Sequence, residues 1–470
     1  MEANRKINNS FRSTLAQCLA LTGSCLLQTG IGIEIICLTI IIGALSTNKN
    51  QNEFLTVTSD QASWFGSLLF LFTPVGSLLS SLTLDRFGHN KCMIITNIPY
   101  IVSQIMFFFA ENVDTLYMCS ILMGLSIGYA GGPCSAYIGE VCEPKLRGAL
   151  MSVTNVFYFV GSLVFTLIYA VTLDWRLTVL LSMIIPIVNI VILLVSPHSP
   201  MWLLTKGKHE KAQKTLGKLR GWVSHELCSN EFREMIVYTS VKDTEKPDTK
   251  NEEDITSSWR QLLQPEVYRP FRLLVIYIFF ANLLAGVQYG PYLVSVFTEF
   301  GAPVNVEMTI SFSVALAIIG GILTVFFVNK LGKRFLTLMT LPICSVCYIL
   351  IGIIGIYWTD SKPLTSWLVL IFFLTTTFTS SFGILTVAWI LVSEIFPMKS
   401  RNITCSTCVA LGYLMSFFMI KFFPQFSAFV QLYNTFTIFG VAGLFGSVYF
   451  YFYLPETENK SLQEISEFFK

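Results

Sequence analysis

The most constraining feature of the 470-residue sequence is a series of long apolar runs, arranged as six runs, a polar interval and six more runs. Each run is long enough for a helix of about 20 residues, which is the length that crosses the hydrocarbon core of a bilayer. Only 13% of the residues are charged and 53% are hydrophobic, so a single soluble domain is excluded. The pattern predicts an all-α membrane protein with twelve transmembrane helices. The runs lie near 15–45, 62–84, 92–110, 115–138, 149–172 and 177–196, and near 271–298, 307–329, 335–358, 364–393, 403–425 and 432–454.

The order of the runs divides the chain into four parts. We expect an N-terminal six-helix bundle at 1–196, a cytosolic linker with short helices at 197–270, a second six-helix bundle at 271–454 and a cytosolic tail at 455–470. Both termini are expected in the cytosol, because this orientation leaves only four of the 31 Lys and Arg residues on the outer side. The first run is too long for a signal peptide and no cleavage pattern follows it, which predicts a retained first helix.

Composition and motifs exclude several classes of function. The net charge of +2 gives no global basic field for nucleic acid. The twelve cysteines lie mostly in apolar runs or cytosolic loops, so we expect no structural disulfide. The Cys344-x-x-Cys347 and Cys405-x-x-Cys408 pairs have no histidine beside them, which favours helix packing over a metal site. Since no nucleophile with a base and no phosphate loop stands at usable spacing, the sequence predicts neither an enzyme nor a bound cofactor.

An internal repeat indicates that the two sets of helices are homologous halves. Gly76 lies nine residues before the Asp85-Arg86-Phe87-Gly88 loop, and Gly320 lies nine residues before the Asn329-Lys330-Leu331-Gly332 loop. Both loops fall between the second and third helices of their half. A repeated six-helix half is expected of a transporter that works by alternating access.

Acidic and basic residues at the inner helix ends can form one ion-pair cluster in each half. A charged group near a membrane is costly unless it is paired with an opposite charge. Such pairs suit a latch that forms in one state of the protein and breaks in the other. The first proposed latch comprises Asp85, Arg86, Glu140 and Arg147, and the second comprises Lys333, Arg334, Glu394 and Arg401. The alternative is that the bases are ordinary positive-inside anchors with incidental acids.

Motifs along nearly the whole chain carry a family resemblance. They are Asp85-Arg86-Phe87-Gly88, Gly139-Glu140 with Leu146-Arg147-Gly148, the Ser-Pro-His-Ser-Pro-Met-Trp-Leu run at 196–203, Gly332-Lys333-Arg334, Glu394-x6-Arg401 and the Pro-Glu-Thr-Glu-Asn-Lys-Ser-Leu run at 455–462. In this order the sequence resembles the sugar porter family of the major facilitator superfamily, and within it the insect facilitative trehalose and glucose transporters. The resemblance implies two six-helix bundles and uniport of a hexose or disaccharide through a central site that is exposed to each side in turn.

A sugar site needs amide or hydroxyl groups that bond to hydroxyls, and aromatic faces that pack on the apolar face of the ring. The resemblance matches such groups of the family to Asn155, Asn282, Gln288, Tyr292 and Trp389. Each of them could instead be a helix-packing polar group or an interfacial aromatic residue.

The sequence also departs from the family at positions that bear on specificity. Apolar or small residues replace polar groups of the family, and Leu385–Ala388 stand where the family has Gly-Pro-x-Pro, which predicts a weaker kink in the tenth helix. The polar groups are replaced by Leu283, Leu293, Ala317 and Ser416, and the acid and base after the sixth helix by His198 and Met201.

Glu34 is an ionisable residue within the first apolar run, and such a residue marks an ion path or a site by default. Proton-coupled relatives pair an aspartate with an arginine, and Gly30 and Ser120 stand at those positions. We therefore expect Glu34 to face the outer vestibule without coupling transport to protons.

The sequence thus predicts a facilitative sugar transporter at the plasma membrane, with a small-molecule sugar and the lipid bilayer as its partners. Two alternatives remain open. One is a transporter-like nutrient sensor with little flux, and the other is a transporter that has drifted to a less polar or proton-coupled substrate. The sequence leaves the oligomeric state open.

Overall fold

The computed structural model describes the backbone of residues 2–46, 55–223, 228–244, 265–357, 364–396 and 401–457. The regular elements in these ranges are helices, and twelve of them are long and apolar enough to cross a membrane. The predicted all-α membrane fold is confirmed. The first half contains α1 (Glu2–Ala20), α2 (Thr22–Ser46), α3 (Ser59–Phe87), α4 (His89–Phe108), α5 (Val113–Val141), α6 (Pro144–Thr172), α7 (Trp175–Ser182) and α8 (Ile184–Val195).

The linker contains α9 (Pro200–Thr205), α10 (His209–Leu219) and α11 (Ser229–Thr244). The second half contains α12 (Pro265–Leu284), a 3₁₀ turn (Gly290–Tyr292), α13 (Leu293–Glu299), α14 (Val306–Leu331), α15 (Lys333–Tyr357), α16 (Leu364–Thr379), a π-helical segment (Ser380–Ile384), α17 (Leu385–Glu394), α18 (Arg401–Val430) and α19 (Leu432–Tyr453).

Two apolar runs of the first half are divided in the structure. The first run, expected from residue 15, is interrupted by a turn at Leu21, so α1 is a separate helix that lies against the linker. The sixth run forms α7 and α8, which meet at Met183. Pro186 follows closely and cannot donate the backbone hydrogen bond that would continue α7 through this point.

The repeated glycine motif folds the same way in both halves. Gly88 ends α3 with φ 79° and Gly332 ends α14 with φ 82°. Their N–H groups donate to the carbonyls of Leu84 and Val328, respectively. Only glycine adopts this left-handed conformation without a steric cost. The sequence repeat therefore encodes the same turn between the second and third spans of each half.

Helices within each half pack at close crossings, and a second set of contacts joins the halves. In the first half α3 and α4 pack on α5, while α2 packs on α6; in the second half α15 packs on α19. Between the halves, α18 lies against α3, α14 lies against α6, and the 3₁₀ turn with α13 lies against α2. The interface between the two bundles is therefore formed by these three pairs.

Candidate functional site

The helix ends form two faces of the molecule. The linker face carries α1, the linker helices and the two glycine turns, and the opposite face carries the helix ends at Ser46, Phe108 and Thr172. Hydrogen bonds join the bundles toward the opposite face. Thr39 Oγ1 donates to Gly290 O at 3.0 Å, and the hydroxyls of Ser46 and Ser295 lie 3.5 Å apart. The structure is therefore closed between α2 and α13 at that face.

The seventh span is broken where it meets the other bundle. Helix α12 ends at Leu284, and Gly286 has φ 76°, so the chain turns through residues 285–289 before the 3₁₀ turn and α13. The carbonyl of Gly290 in this segment accepts the bond from Thr39 of α2. Irregular backbone at membrane depth is tolerated where it is buried in protein or lines a cavity, and broken helices often carry transporter sites.

Gln288 lies within this break and carries a buried acceptor without a partner. Its side chain is 1% exposed, and Nε2 donates to Leu283 O at 2.8 Å. Its Oε1 has no hydrogen-bond partner. A buried polar atom without a partner costs free energy, so a ligand hydroxyl that donated to Oε1 would recover it.

Asn282 and Tyr292, the other predicted binding residues of this segment, use their donors within the second bundle. Asn282 Nδ2 donates to Ser416 Oγ at 3.0 Å, and the Tyr292 hydroxyl donates to Ile420 O at 3.2 Å. The Tyr292 ring also stacks on Phe423 with centroids 5.6 Å apart. These contacts hold the broken span against α18.

Trp389 lies in α17 and packs near Tyr413 of α18. Its side chain is 46% exposed, and its ring centroid lies 6.2 Å from that of Tyr413. Tyr413 in turn lies 6.4 Å from Phe70 of the other bundle. The exposed indole therefore lies near the junction of α17, α18 and α3. Its exposed face could pack on the ring of a bound solute.

The tenth span is distorted without the proline pair. A π-helical segment at Ser380–Ile384 lies one turn before Trp389. Thr386 Oγ1 donates to Ser381 O at 2.7 Å, and Thr324 Oγ1 of α14 donates to Phe382 O at 2.6 Å. A π-bulge shifts the register of a helix locally and leaves carbonyls without their usual helical partner. Here side-chain hydroxyls bond these carbonyls, just before the positions where the family has prolines and this chain has none.

Asn155 lies in α6 and is exposed. The next residue, Val156, and Phe159 both approach Gly321 of α14 in the other bundle. Tyr158 is half-buried and lies near Tyr413 of the other bundle. Tyr158 and Tyr413 therefore bring aromatic hydroxyls to the interface from opposite bundles. Neither was predicted from the sequence, since an aromatic residue in an apolar run carries no distinguishing signal.

The first proposed latch is described only in part. The side chains of Asp85 and Arg147 lie outside the described residues. Arg86 is exposed, with its guanidinium 5.7 Å from the Phe87 ring centroid. Glu140 accepts a hydrogen bond from Ser199 Oγ and lies 3.6 Å from His89 Nε2. Glu140 therefore fixes the start of α9, a contact that the sequence alone does not indicate.

The second proposed latch gains a residue from the tail. The side chains of Glu394 and Arg401 lie outside the described residues. The backbone N–H groups of Lys333 and Arg334 each donate to a Glu456 carboxylate oxygen at 3.1 Å. A carboxylate at a helix N-terminus satisfies unpaired N–H groups and complements the helix dipole. Glu456 thus caps α15, and Arg334 also donates to Tyr451 O at 2.7 Å.

The linker helices are fixed to the first bundle. Arg220 bonds Glu231 at 2.6 Å and Val141 O at 3.1 Å, and it lies 3.7 Å from Glu143. Glu143 in turn accepts a hydrogen bond from Ser13 of α1 at 2.6 Å. The linker therefore connects α1, α5 and α11 in one polar network.

His198 replaces the family's acid in a basic corner of this face. Partial burial, followed by the nearby charges of Lys91, Lys208 and Lys211, lowers the pKa of His198. The side chain is therefore neutral at pH 7, and it adds no positive charge to the three lysines.

In the structure Glu34 lies buried inside the first bundle. Its side chain is 1% exposed, and its electrostatic neighbours are Ser126 of α5 and Tyr100 of α4, inside the first bundle. Both carboxyl oxygens are without a hydrogen-bond partner. Helix α2 is enclosed by other helices on more than one side, and a linear sequence does not show which side of such a helix faces the vestibule.

Replacing Glu34 by glutamine is expected to keep or raise the thermal unfolding temperature, because the amide preserves the shape and removes the possibility of an unpaired buried charge. The matched control is Glu140→Gln, which weakens the hydrogen bond from Ser199 and the contact with His89. It should lower the free energy of unfolding by about 1 kcal/mol. Thermal unfolding of the purified protein in detergent measures both. A fall in the unfolding temperature of Glu34→Gln would contradict the finding that the Glu34 carboxyl oxygens have no hydrogen-bond partner.

The fold and the broken, polar span at the bundle interface define a twelve-span membrane transporter of the two-bundle class. The chain belongs to the Sugar (and other) transporter family, whose family model matches residues 28–469. The resemblance drawn from the motifs is thereby confirmed.

Relatives of known name agree with this assignment. The chain is 24% identical over 423 residues to the Facilitated trehalose transporter Tret1 of Drosophila pseudoobscura pseudoobscura, covering 89% of this chain and 47% of that protein. It is 24% identical over 424 residues to the Tret1 of Polypedilum vanderplanki, covering 88% and 81%. The chain thus spans about half the length of the Drosophila relative.

The fold matches a solved structure of the xylose transporter XylE from E. coli in an inward-open conformation. The TM-score is 0.74 at 18% identity, covering 95% of this chain and 98% of that chain. The proton:xylose symporter XylE bound to 6-bromo-6-deoxy-D-glucose gives a TM-score of 0.73 at 19% identity, covering 98% and 100%. These similarities establish the major facilitator fold.

Proposed function

We propose that this protein carries a sugar, a hexose or trehalose, across the plasma membrane by facilitative alternating access. The observation that carries the proposal is the buried, unpartnered Oε1 of Gln288 in a broken helix at the bundle interface. A buried acceptor without a partner costs free energy, and a solute hydroxyl that donated to it would recover that free energy. The family and the trehalose-transporting relatives support the same substrate class.

The proposed site combines acceptor, donor and aromatic groups from both bundles. Gln288 accepts from a sugar hydroxyl, Asn155 donates from α6, and Trp389 with Tyr413 packs on the apolar face of the ring. Asn282 and Tyr292 hold the span in place and act on the sugar only indirectly, since their donors are used within the bundle.

The transport cycle follows from the contacts at the two faces. The excess of bases predicts that the linker face and both termini are cytosolic, which would make the face closed by Thr39 and Ser46 the outer one. Rocking of one bundle against the other would open that face and close the linker face. The eight charged residues of the two proposed latches, together with Ser199 and Glu456, would hold the helix ends in one of these states.

A less polar solute is the second candidate. Three of the five predicted sugar-binding residues, Asn282, Gln288 and Tyr292, donate hydrogen bonds to protein acceptors. Leu283 and Ala317 are buried where the family has polar groups. Such a site offers fewer hydrogen bonds to a sugar and more apolar surface to its substrate.

Uptake in cells that lack hexose transport tests both candidates. We expect labelled glucose or trehalose to enter faster than in vector controls, with entry saturating as its concentration rises. The same cells are then given polyols, glycosides and organic acids as competitors. Competition by sugars supports the first candidate, and competition only by less polar solutes supports the second. Absence of sugar uptake with the protein at the surface would overturn the sugar assignment.

A further inference from the structure

A single lysine of α18 has all its described polar contacts on the other bundle. Lys421 lies within a membrane-spanning helix and is 8% exposed. Its Nζ donates to Asp60 Oδ1 at 2.8 Å and to Ser63 Oγ at 2.7 Å, both on the first turns of α3. It also lies 4.2 Å from the Trp64 ring centroid. An acid, a hydroxyl and an aromatic face thus surround the ammonium group.

This pair differs from the other ion pairs between described residues. His89–Glu140, Lys214–Glu210, Arg220–Glu143 and Arg220–Glu231 each lie within the first bundle and its linker. Lys421–Asp60 joins the two bundles, and it does so on the first turn of α3, at the opposite face, where the hydrogen bond from Thr39 to Gly290 also joins the bundles.

The energetic consequence follows from burial. A charged group within the membrane is costly unless it is paired, and Lys421 is paired only through α3 in the described structure. If the bundles separated at this face, Lys421 would lose the acid, the hydroxyl and the ring together. Asp60 is largely exposed and would regain water readily, so the cost of opening falls mainly on Lys421.

We propose that Lys421, Asp60 and Ser63 form an ionic gate that holds the opposite face closed and sets how often it opens. This proposal rests on alternating access, the mechanism of the proposed function. The gate acts through the position of α18 against α3, so these side chains are positioning residues and need not touch the substrate.

The test measures opening directly and needs no substrate. Thr39 is 4% exposed and bonds across the closed face, so Thr39→Cys in the purified full-length chain reacts with a maleimide when that face opens. Labelling of position 39, identified by mass spectrometry, is compared in Asp60→Asn, Lys421→Met, Lys421→Arg and the charge-swapped Asp60→Lys/Lys421→Asp. The control is Lys214→Met, which removes an exposed pair within the linker.

We expect the labelling rate to rise about threefold to tenfold in Asp60→Asn and Lys421→Met. It should return toward the parent rate in Lys421→Arg and in the charge swap, and stay unchanged in Lys214→Met. The gate would be overturned if the labelling rate were unchanged in both Asp60→Asn and Lys421→Met. It would also be overturned if the charge-swapped variant were labelled as fast as these two single variants. Lys421→Arg and the swap keep the test decisive if Lys421→Met fails to fold. A labelling response without sugar uptake would leave the gate standing and refute the substrate assignment.

Discussion

Replacing Gln288 by methionine is expected to reduce sugar uptake at least about tenfold, while the free energy of unfolding changes by no more than about 1 kcal/mol. Methionine matches the length of glutamine and removes both polar atoms. The protein loses the hydrogen bond from Nε2 to Leu283 O, and it also loses the buried Oε1 that had no partner. These two effects oppose each other in stability, whereas the bond to the substrate is lost without compensation.

The matched control is a second buried glutamine that lies away from the bundle interface. Gln104 of α4 is 0% exposed, and both its amide atoms lack hydrogen-bond partners. Gln104→Met is therefore expected to raise the unfolding temperature and to leave uptake unchanged. Uptake per surface molecule and thermal unfolding are measured for both variants. Equal loss of uptake in the two, or normal uptake in Gln288→Met, would contradict a binding role for Gln288.

The broad architecture was predictable because it depends on patterns that are repeated along the chain. Bilayer thickness fixes the length of an apolar run, and the twelve spans follow from it. The glycine turns at Gly88 and Gly332 were predictable for a related reason, since the same local motif produces the same positive φ in both halves. These features are determined by residues that are near one another in sequence.

The site was predictable only in part and the gate was not predictable, because both depend on contacts between distant residues. Lys421 and Asp60 are 361 positions apart, and a lysine in an apolar run gives no indication of its partner. The family resemblance selected Gln288 but could not show that Asn282 and Tyr292 bond to α18. The π-helical segment before Trp389 was missed because no proline or glycine pair marks it.

The burial of Glu34 also could not be predicted from the sequence. An acid in the first run was expected to face the vestibule, yet the surrounding helices α4 and α5 enclose it. The rotation of a membrane helix is set by packing against its neighbours. Where every side of a helix is apolar, its sequence carries little information about that rotation.

The largest effect on folding is expected at the crossing of α2 and α6, through Gly161→Leu. A Cβ at Gly161 would lie 2.9 Å from the Cα of Thr29, and one at Gly32 would lie 3.1 Å from the backbone N of Ser162. Ser162 Oγ also donates to Gly32 O at 2.9 Å. The two backbones are thus in direct contact, as small residues allow in membranes, and neither helix can yield without moving the rest of the bundle.

We therefore expect Gly161→Leu to cost more than about 3 kcal/mol and to abolish the folded protein, with Gly161→Ala between it and the parent. Gly131 of α5 is the control, because it is helical and a Cβ there meets no atom within 4 Å. Gly131→Ala should raise stability by up to about 1 kcal/mol through helix propensity. Yield and thermal unfolding in detergent are measured for all three. A stable Gly161→Leu would mean that α2 and α6 separate at low cost, and the crossing would then not be what fixes Asn155 and Tyr158 at the bundle interface.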